Sequence, residues 1–144
     1  MPDSVVGIWA LVSVEFRSES GQTIQPFGPN PAGLMVISAD GYFSLQVMDP
    51  RRPSFPSGDV FGSTLVEKAG AMQGYSAYSG TWEHRGDRLL IHIKTSLFPN
   101  WVGQDEERPY VLIGDRLNMK TKSVLAGGRQ VAAEVIWSRV SKLK

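Results

Sequence analysis

The sequence predicts an all-β fold, an eight-stranded antiparallel up-and-down β-barrel with one short helix, and three observations carry that prediction. Short β-rich runs bounded by Gly, Asp and Asn recur along the chain, about eight of them by the pattern rules for strands and turns. Most are joined in consecutive pairs by tight turns, the arrangement of antiparallel neighbours. One stretch alone departs from that rhythm with helical spacing. Closing such a meander removes both sheet edges, and about eight strands leave an interior that side chains fill or that holds one small ligand. The 144 residues are read as one domain, 1–144, of ordinary globular composition.

The first strand is "GIWALVSVEFR", Gly7 to Arg17, closed by "SESGQT"; alternation places Gly7, Trp9, Leu11, Ser13 and Glu15 on one face. A hairpin follows, "GLMVIS" with "YFSLQVM", turning at Ala39, Asp40 and Gly41. A second pairs "YSAYSGTWE" with "RLLIHIKTS" around His84, Arg85, Gly86 and Asp87, and a third pairs "RPYVLI" with "RLNMKT" around Gly114 and Asp115. The last strand, "QVAAEVIWSRV", is entered through Gly127 and Gly128 and sets Val131, Ala133, Val135, Trp137 and Arg139 on one face. Between the first two hairpins, "DPRRPSFPSGDVFG" contains too much Pro for a central strand, because Pro lacks the ladder donor. After it, Thr64 and Glu67 stand at capping-box spacing, and Leu65, Ala69 and Met72 form one apolar face stopped at Gly74. That helix is either a plug over the core or a lid over a pocket.

Composition excludes several functions. A formal net charge of +1 with scattered Lys and Arg offers no nucleic-acid footprint and no membrane patch. The chain has no Cys, so disulfides, thiolate zinc sites and thiol nucleophiles are ruled out. The start "MPDSVVGIWA" lacks a signal-peptide pattern and no apolar run spans a bilayer, so a cytoplasmic, soluble protein is expected. With His92 and His84 as its only imidazoles and no carboxylate at ligand spacing, a metal site is not expected, and no cofactor is implied. There is no Gly-x-Ser-x-Gly elbow, and "GDVFGS" has neither the spacing nor the Lys of a phosphate loop.

"GIW" on the first strand and "WSRV" ending the last resemble the opening and closing of lipocalins and the wider calycin superfamily. Along the whole chain, "GIWALVS", "PFGPNPAGLMVISADGYFSLQVM", "YSAYSGTWE", "IHI", "SLFPNWVG", Arg108 and "VIWSRV" resemble the bacterial and fungal lipocalin-like domains. The resemblance implies a β-barrel in which Arg139 lies across Trp9 at the closed end, a cation on an indole face. It also implies relatives that include ligand carriers and non-redox cyclases and isomerases of secondary metabolism, a choice that fold analogy does not make.

The candidate residues come from the chain itself. His92 lies in the apolar run "LLIHIK", sharing a face with Leu90, Lys94 and Ser96; it is either a satisfied core imidazole or a general acid or base. Which face points inward depends on the length of the turn between His84 and Asp87, since a slip by one residue reverses every assignment. Tyr75 and Tyr78 carry hydroxyls able to bind a carbonyl or enol, and Arg108 with Tyr110 shares a strand face where a guanidinium would hold a carboxylate or polarise a keto oxygen. In the loop "SLFPNWVG", Phe98, Asn100 and Trp101 are candidates for one wall of a pocket. Three functions fit: a barrel that binds a small, largely apolar organic molecule; a cofactor-independent isomerase or cyclase using His92, Tyr78 and Arg108; and a haem barrel with His92 as axial ligand. An exposed aromatic surface would suit a homodimer.

Overall fold

A computed structural model describes residues 4–140, so the terminal residues of the expected 1–144 domain, 1–3 and 141–144, lie outside the described residues. Ten strands and one helix follow in order: β1 Gly7–Ser18, β2 Thr23–Ile24, β3 Ala32–Ile37, β4 Tyr42–Met48, α1 Leu65–Gln73, β5 Tyr75–Arg85, β6 Arg88–Ser96, β7 Asp105–Ile113, β8 Arg116–Lys120, β9 Val124–Ala126 and β10 Arg129–Arg139. A 3-10 turn, Pro99–Trp101, interrupts the β6–β7 connection. Eight strands close the barrel in the order β1-β3-β4-β5-β6-β7-β8-β10, with β10 returning to pair β1 along Trp9–Arg139 through Ser18–Val131. Every pairing is antiparallel, as the meander predicts. The two short strands, β2 and β9, were not expected; β2 pairs β1 at Phe16–Arg17 and β9 pairs β10 at Arg129–Val131.

Two irregularities redirect side chains. In β1 the register shifts between Leu11 and Ser13, so that Trp9 points inward before the bulge and Val14 and Phe16 after it. The single face expected from Gly7 to Glu15 is therefore broken, and Glu15 stands outside, paired with Arg17 at 3.1 Å. In the β5–β6 hairpin Gly80 pairs Ile93 while Ser79 pairs Thr95, which leaves Lys94 as the extra residue. Only glycine fits at the bulge, because a Cβ on Gly80 would lie 1.8 Å from the His92 carbonyl oxygen.

One end of the barrel is sealed. Trp9 is fully buried, and its Nε1 donates to the Val5 carbonyl at 2.9 Å. The Arg139 guanidinium lies 4.3 Å from the centre of the indole, with Nη1 donating to the Val6 carbonyl at 3.0 Å and Nη2 to the Ser4 carbonyl at 2.7 Å. The last strand thus holds the segment leading into the first across the floor. Gly7 explains the Gly-x-Trp pattern: its φ is 146°, and a Cβ there would meet Arg139 Nη1 at 2.7 Å.

The long β4–β5 connection starts and ends at the opposite, open end, and its base is pinned where the Asp49 N–H donates to the Gly74 carbonyl at 2.8 Å. The capping box is present as predicted, with Thr64 Oγ1 accepting from the Glu67 N–H and Glu67 Oε1 from the Thr64 N–H. The expected plug or lid is not: no residue of α1 is buried, and Leu65 and Val66 are 84% and 82% exposed. What ties the helix down is Arg52, whose Nη1 donates to the Ala71 carbonyl at 3.1 Å while its guanidinium stacks 4.9 Å from the Tyr75 ring centre.

Loss of the floor clamp in Arg139→Ala is expected to lower unfolding stability by about 2–4 kcal/mol, the sum of a partly desolvated cation–π contact and charge-assisted hydrogen bonds, measured by denaturant unfolding. Arg139→Lys restores little of it, because an ammonium cannot stack and reach two carbonyls in one plane. At the loop base, the bidentate Arg51 side chain and the Arg51 N–H hold the Asp49 carboxyl down from 3.8 to about 2. A depressed folded value means that this contact stabilises fully above pH 3.8 and that its contribution is lost as the pH falls through about 2. Carboxyl NMR titration is expected to show that midpoint, and Arg51→Ala to return it to the ordinary range.

Candidate functional site

Because Arg85 pairs Arg88, the β5–β6 turn is the two residues Gly86 and Asp87, and that settles which side chains enter the barrel. Leu89, Ile91 and Ile93 point inward and are buried. On β7 their partners Arg108 and Glu106 face the same way, because Leu89 pairs Arg108 and Ile91 pairs Glu106. The mixed character of "RLLIHIKTS" is thereby sorted into an apolar inner face and a polar outer one.

Toward the open end the interior holds a cavity of about 370 Å³. Its sides are chiefly apolar, with Phe16, Phe27, Val47, Ile93, Met119 and Trp137 among them. Thr121, Lys122 and Ser123 contribute from the loop that precedes β9. The volume is at the small end for ligand pockets, enough for one small aromatic molecule.

Inside this apolar surround stands Arg108. Its side chain is only 14% exposed, its nearest carboxylate is Glu106 at 3.9 Å, and Nη1 donates to the Glu107 carbonyl at 3.1 Å. A guanidinium has five N–H donors, and this bond to the Glu107 carbonyl engages one of them. Tyr78 lines the same space, its ring held edge-on between Phe43 at 6.0 Å and Trp101 at 5.7 Å. Trp101 forms the wall expected of "SLFPNWVG": the 3-10 turn at Pro99–Trp101 swings its indole over the cavity, and Phe98 supports it from behind at 5.2 Å and 84°.

Of the predicted residues, Tyr78, Arg108 and Trp101 meet at the cavity and the others do not. His92 is corrected to the outer face, 44% exposed, with Nδ1 on Asp105 Oδ1. It reaches neither a substrate in the barrel as an acid or base nor a haem iron there as axial ligand. Lys94 is the exposed bulge residue, and Ser96 Oγ accepts from the Phe98 N–H at 3.1 Å, shaping the loop. Asn100 is exposed, and Tyr75 lies under Arg52 outside the barrel. Tyr110 does face inward, but near the sealed end, where its hydroxyl meets His84 Nε2 at 2.7 Å. Burial, with the Asp87 carboxylate adding to it, pushes the Tyr110 phenol above its usual range. Most of the other lining residues were not foreseen, Glu106 and Phe27 among them. Glu106 is two residues from Arg108 on one strand and was legible by alternation; Phe27 comes from an irregular Pro-flanked loop with no such signal.

Residues 6–140 match the lipocalin-like domain family. The chain belongs to that family. The barrel sealed by Trp9 and Arg139, expected from the sequence motifs, is its architecture here. Among characterised proteins the chain is similar to the 4'-hydroxy-3'-methoxypropiophenone carrier protein ppsC of Aspergillus oryzae, 30% identical over 109 residues that cover 69% of this chain and 98% of the relative. No solved structure matches the chain. Among the described residues no helix is long and apolar enough to cross a membrane.

If the cavity is the binding site, His92→Ala is expected to leave the affinity for a barrel ligand within about twofold, whereas Trp101→Ala removes one wall and weakens binding about tenfold or more, in the range of truncated aromatic anchors. Both are read by calorimetric titration on variants whose unfolding midpoints have been measured.

Proposed function

We propose that this lipocalin-like protein binds and carries a small aromatic molecule bearing an oxygen acceptor, without transforming it. The observation that carries the reading is the convergence of the Arg108 guanidinium and Tyr78 on an otherwise largely apolar cavity open at one end. Apolar walls supply most of the affinity by excluding water, and a few placed polar groups fix orientation. Arg108 suits a carbonyl or phenolate oxygen, since a buried guanidinium lacking a close ion pair gains most from an acceptor brought to it. The carrier function named for the Aspergillus relative, and its oxygenated aromatic ketone, favour the same class of ligand. Transport rather than isomerisation or cyclisation is favoured by the position of His92, the candidate general acid or base, on the outside of the barrel.

Titration with 4'-hydroxy-3'-methoxypropiophenone, followed by quenching of Trp101 and Trp137 in the cavity wall, tests the reading. Saturable one-to-one binding is expected, with the compound recovered unchanged by mass spectrometry after prolonged incubation. Conversion of the compound would overturn the non-catalytic part. Arg108→Leu is expected to lower affinity about 10–100-fold, the worth of a hydrogen bond to a charged group. Its unfolding midpoint is measured alongside, because the substitution also removes the bond to the Glu107 carbonyl and leaves Glu106 without its nearest guanidinium. Equal affinity in this variant would remove Arg108 from the site.

A further inference from the structure

Beyond Arg108, toward the sealed floor, lies a second and smaller space of about 30 Å³. Ile37, Phe43, Leu89 and Ile91 line it, together with Trp82, whose Nε1 is already engaged, donating to the Ser38 carbonyl at 2.9 Å. Leu45, Tyr78, Arg108 and Met119 border both this space and the main cavity. One layer of side chains therefore separates the two, and the polar groups in that layer are Tyr78 and Arg108. Close-packed interiors hold few voids larger than a water molecule, and a water there would need two to four polar partners. The inner space offers such partners on one side alone, so it suits a small apolar group better than water.

We infer that the barrel is a two-compartment site selective for short-chain alkyl ketones of aromatic rings: the ring lies in the outer cavity, the carbonyl oxygen at the Tyr78–Arg108 layer, and an alkyl chain of one or two carbons in the inner space. A ketone carries its oxygen and its alkyl group on one carbon. Placing the oxygen at the dividing layer therefore delivers the chain to the opening behind it. Each methylene buried there tightens binding about fourfold until the space is full. This selectivity rests on the carrier reading above and adds to it a rule for chain length.

The test is calorimetric titration of the full-length protein with 4-hydroxybenzaldehyde, 4-hydroxyacetophenone, 4-hydroxypropiophenone and 4-hydroxyvalerophenone. Affinity is expected to rise about fourfold per carbon to the propiophenone and to fall for the valerophenone, whose chain exceeds the inner space. Ile91→Phe, which fills that space from a position outside the main cavity lining, is expected to cost the propiophenone tenfold or more and the aldehyde little. Should that variant fail to fold, the wild-type series decides by itself. Binding that is indifferent to chain length, or that still tightens at the valerophenone, would overturn the two-compartment site and leave the carrier reading standing. No binding by any member would overturn both.

Discussion

Arg139 stacked on Trp9 is the contact on which the rest of the molecule depends. A barrel of eight strands has two mouths, and a ligand site needs one of them shut. Here a guanidinium from the end of β10 lies on an indole from the start of β1 and holds the carbonyls of Ser4 and Val6, so that closure of the sheet and closure of the floor are one event. Gly7 makes the approach feasible by presenting no Cβ to the guanidinium. With the floor sealed, access to the interior is from the end where Trp101, Phe27 and the 121–124 segment stand.

The second constraint is electrostatic. The Arg108 guanidinium stands with 14% of its side chain exposed and its nearest carboxylate at 3.9 Å, a placement that does little for stability. Under the proposed carrier function, such a group is explained by the ligand oxygen that it would meet in the cavity. Orientation of Arg108 follows from a local backbone decision several residues away, the two-residue turn at Gly86 and Asp87, which sets the phase of β6 and through it that of β7. On β5 alternation runs unbroken from Trp82 through Tyr78 to Ser76, so Tyr78 lies on the inner face and Tyr75, three residues from it, on the outer one.

The comparison of chain and structure is instructive where it fails. Hairpins, the terminal strand and the capping box were legible, because turn residues, alternation and Thr64–Glu67 spacing act over a few residues. His92 was misread: an imidazole amid Leu and Ile looks buried, yet in a strand the sequence neighbour is the residue on the opposite face. The apolar face of α1 was misread in the same way, since Leu65, Ala69 and Met72 satisfy helical spacing and nonetheless remain exposed. Periodicity shows that residues share a face and says nothing of what that face meets.

By itself, then, the amino-acid sequence determined the all-β architecture, the pairing of consecutive strands and the presence of Trp101 in a loop able to wall a pocket, while the Trp9–Arg139 floor was implied by the resemblance of "GIW" and "WSRV" to the lipocalins. Those features rest on short-range backbone preference or on motifs whose parts are read directly. The tertiary structure alone decided which face of each strand is interior, that Tyr78 and Arg108 meet while His92 stays outside, and that a small second space lies behind them. Such outcomes depend on turn length and on single-residue bulges, where one inserted residue turns a whole strand over.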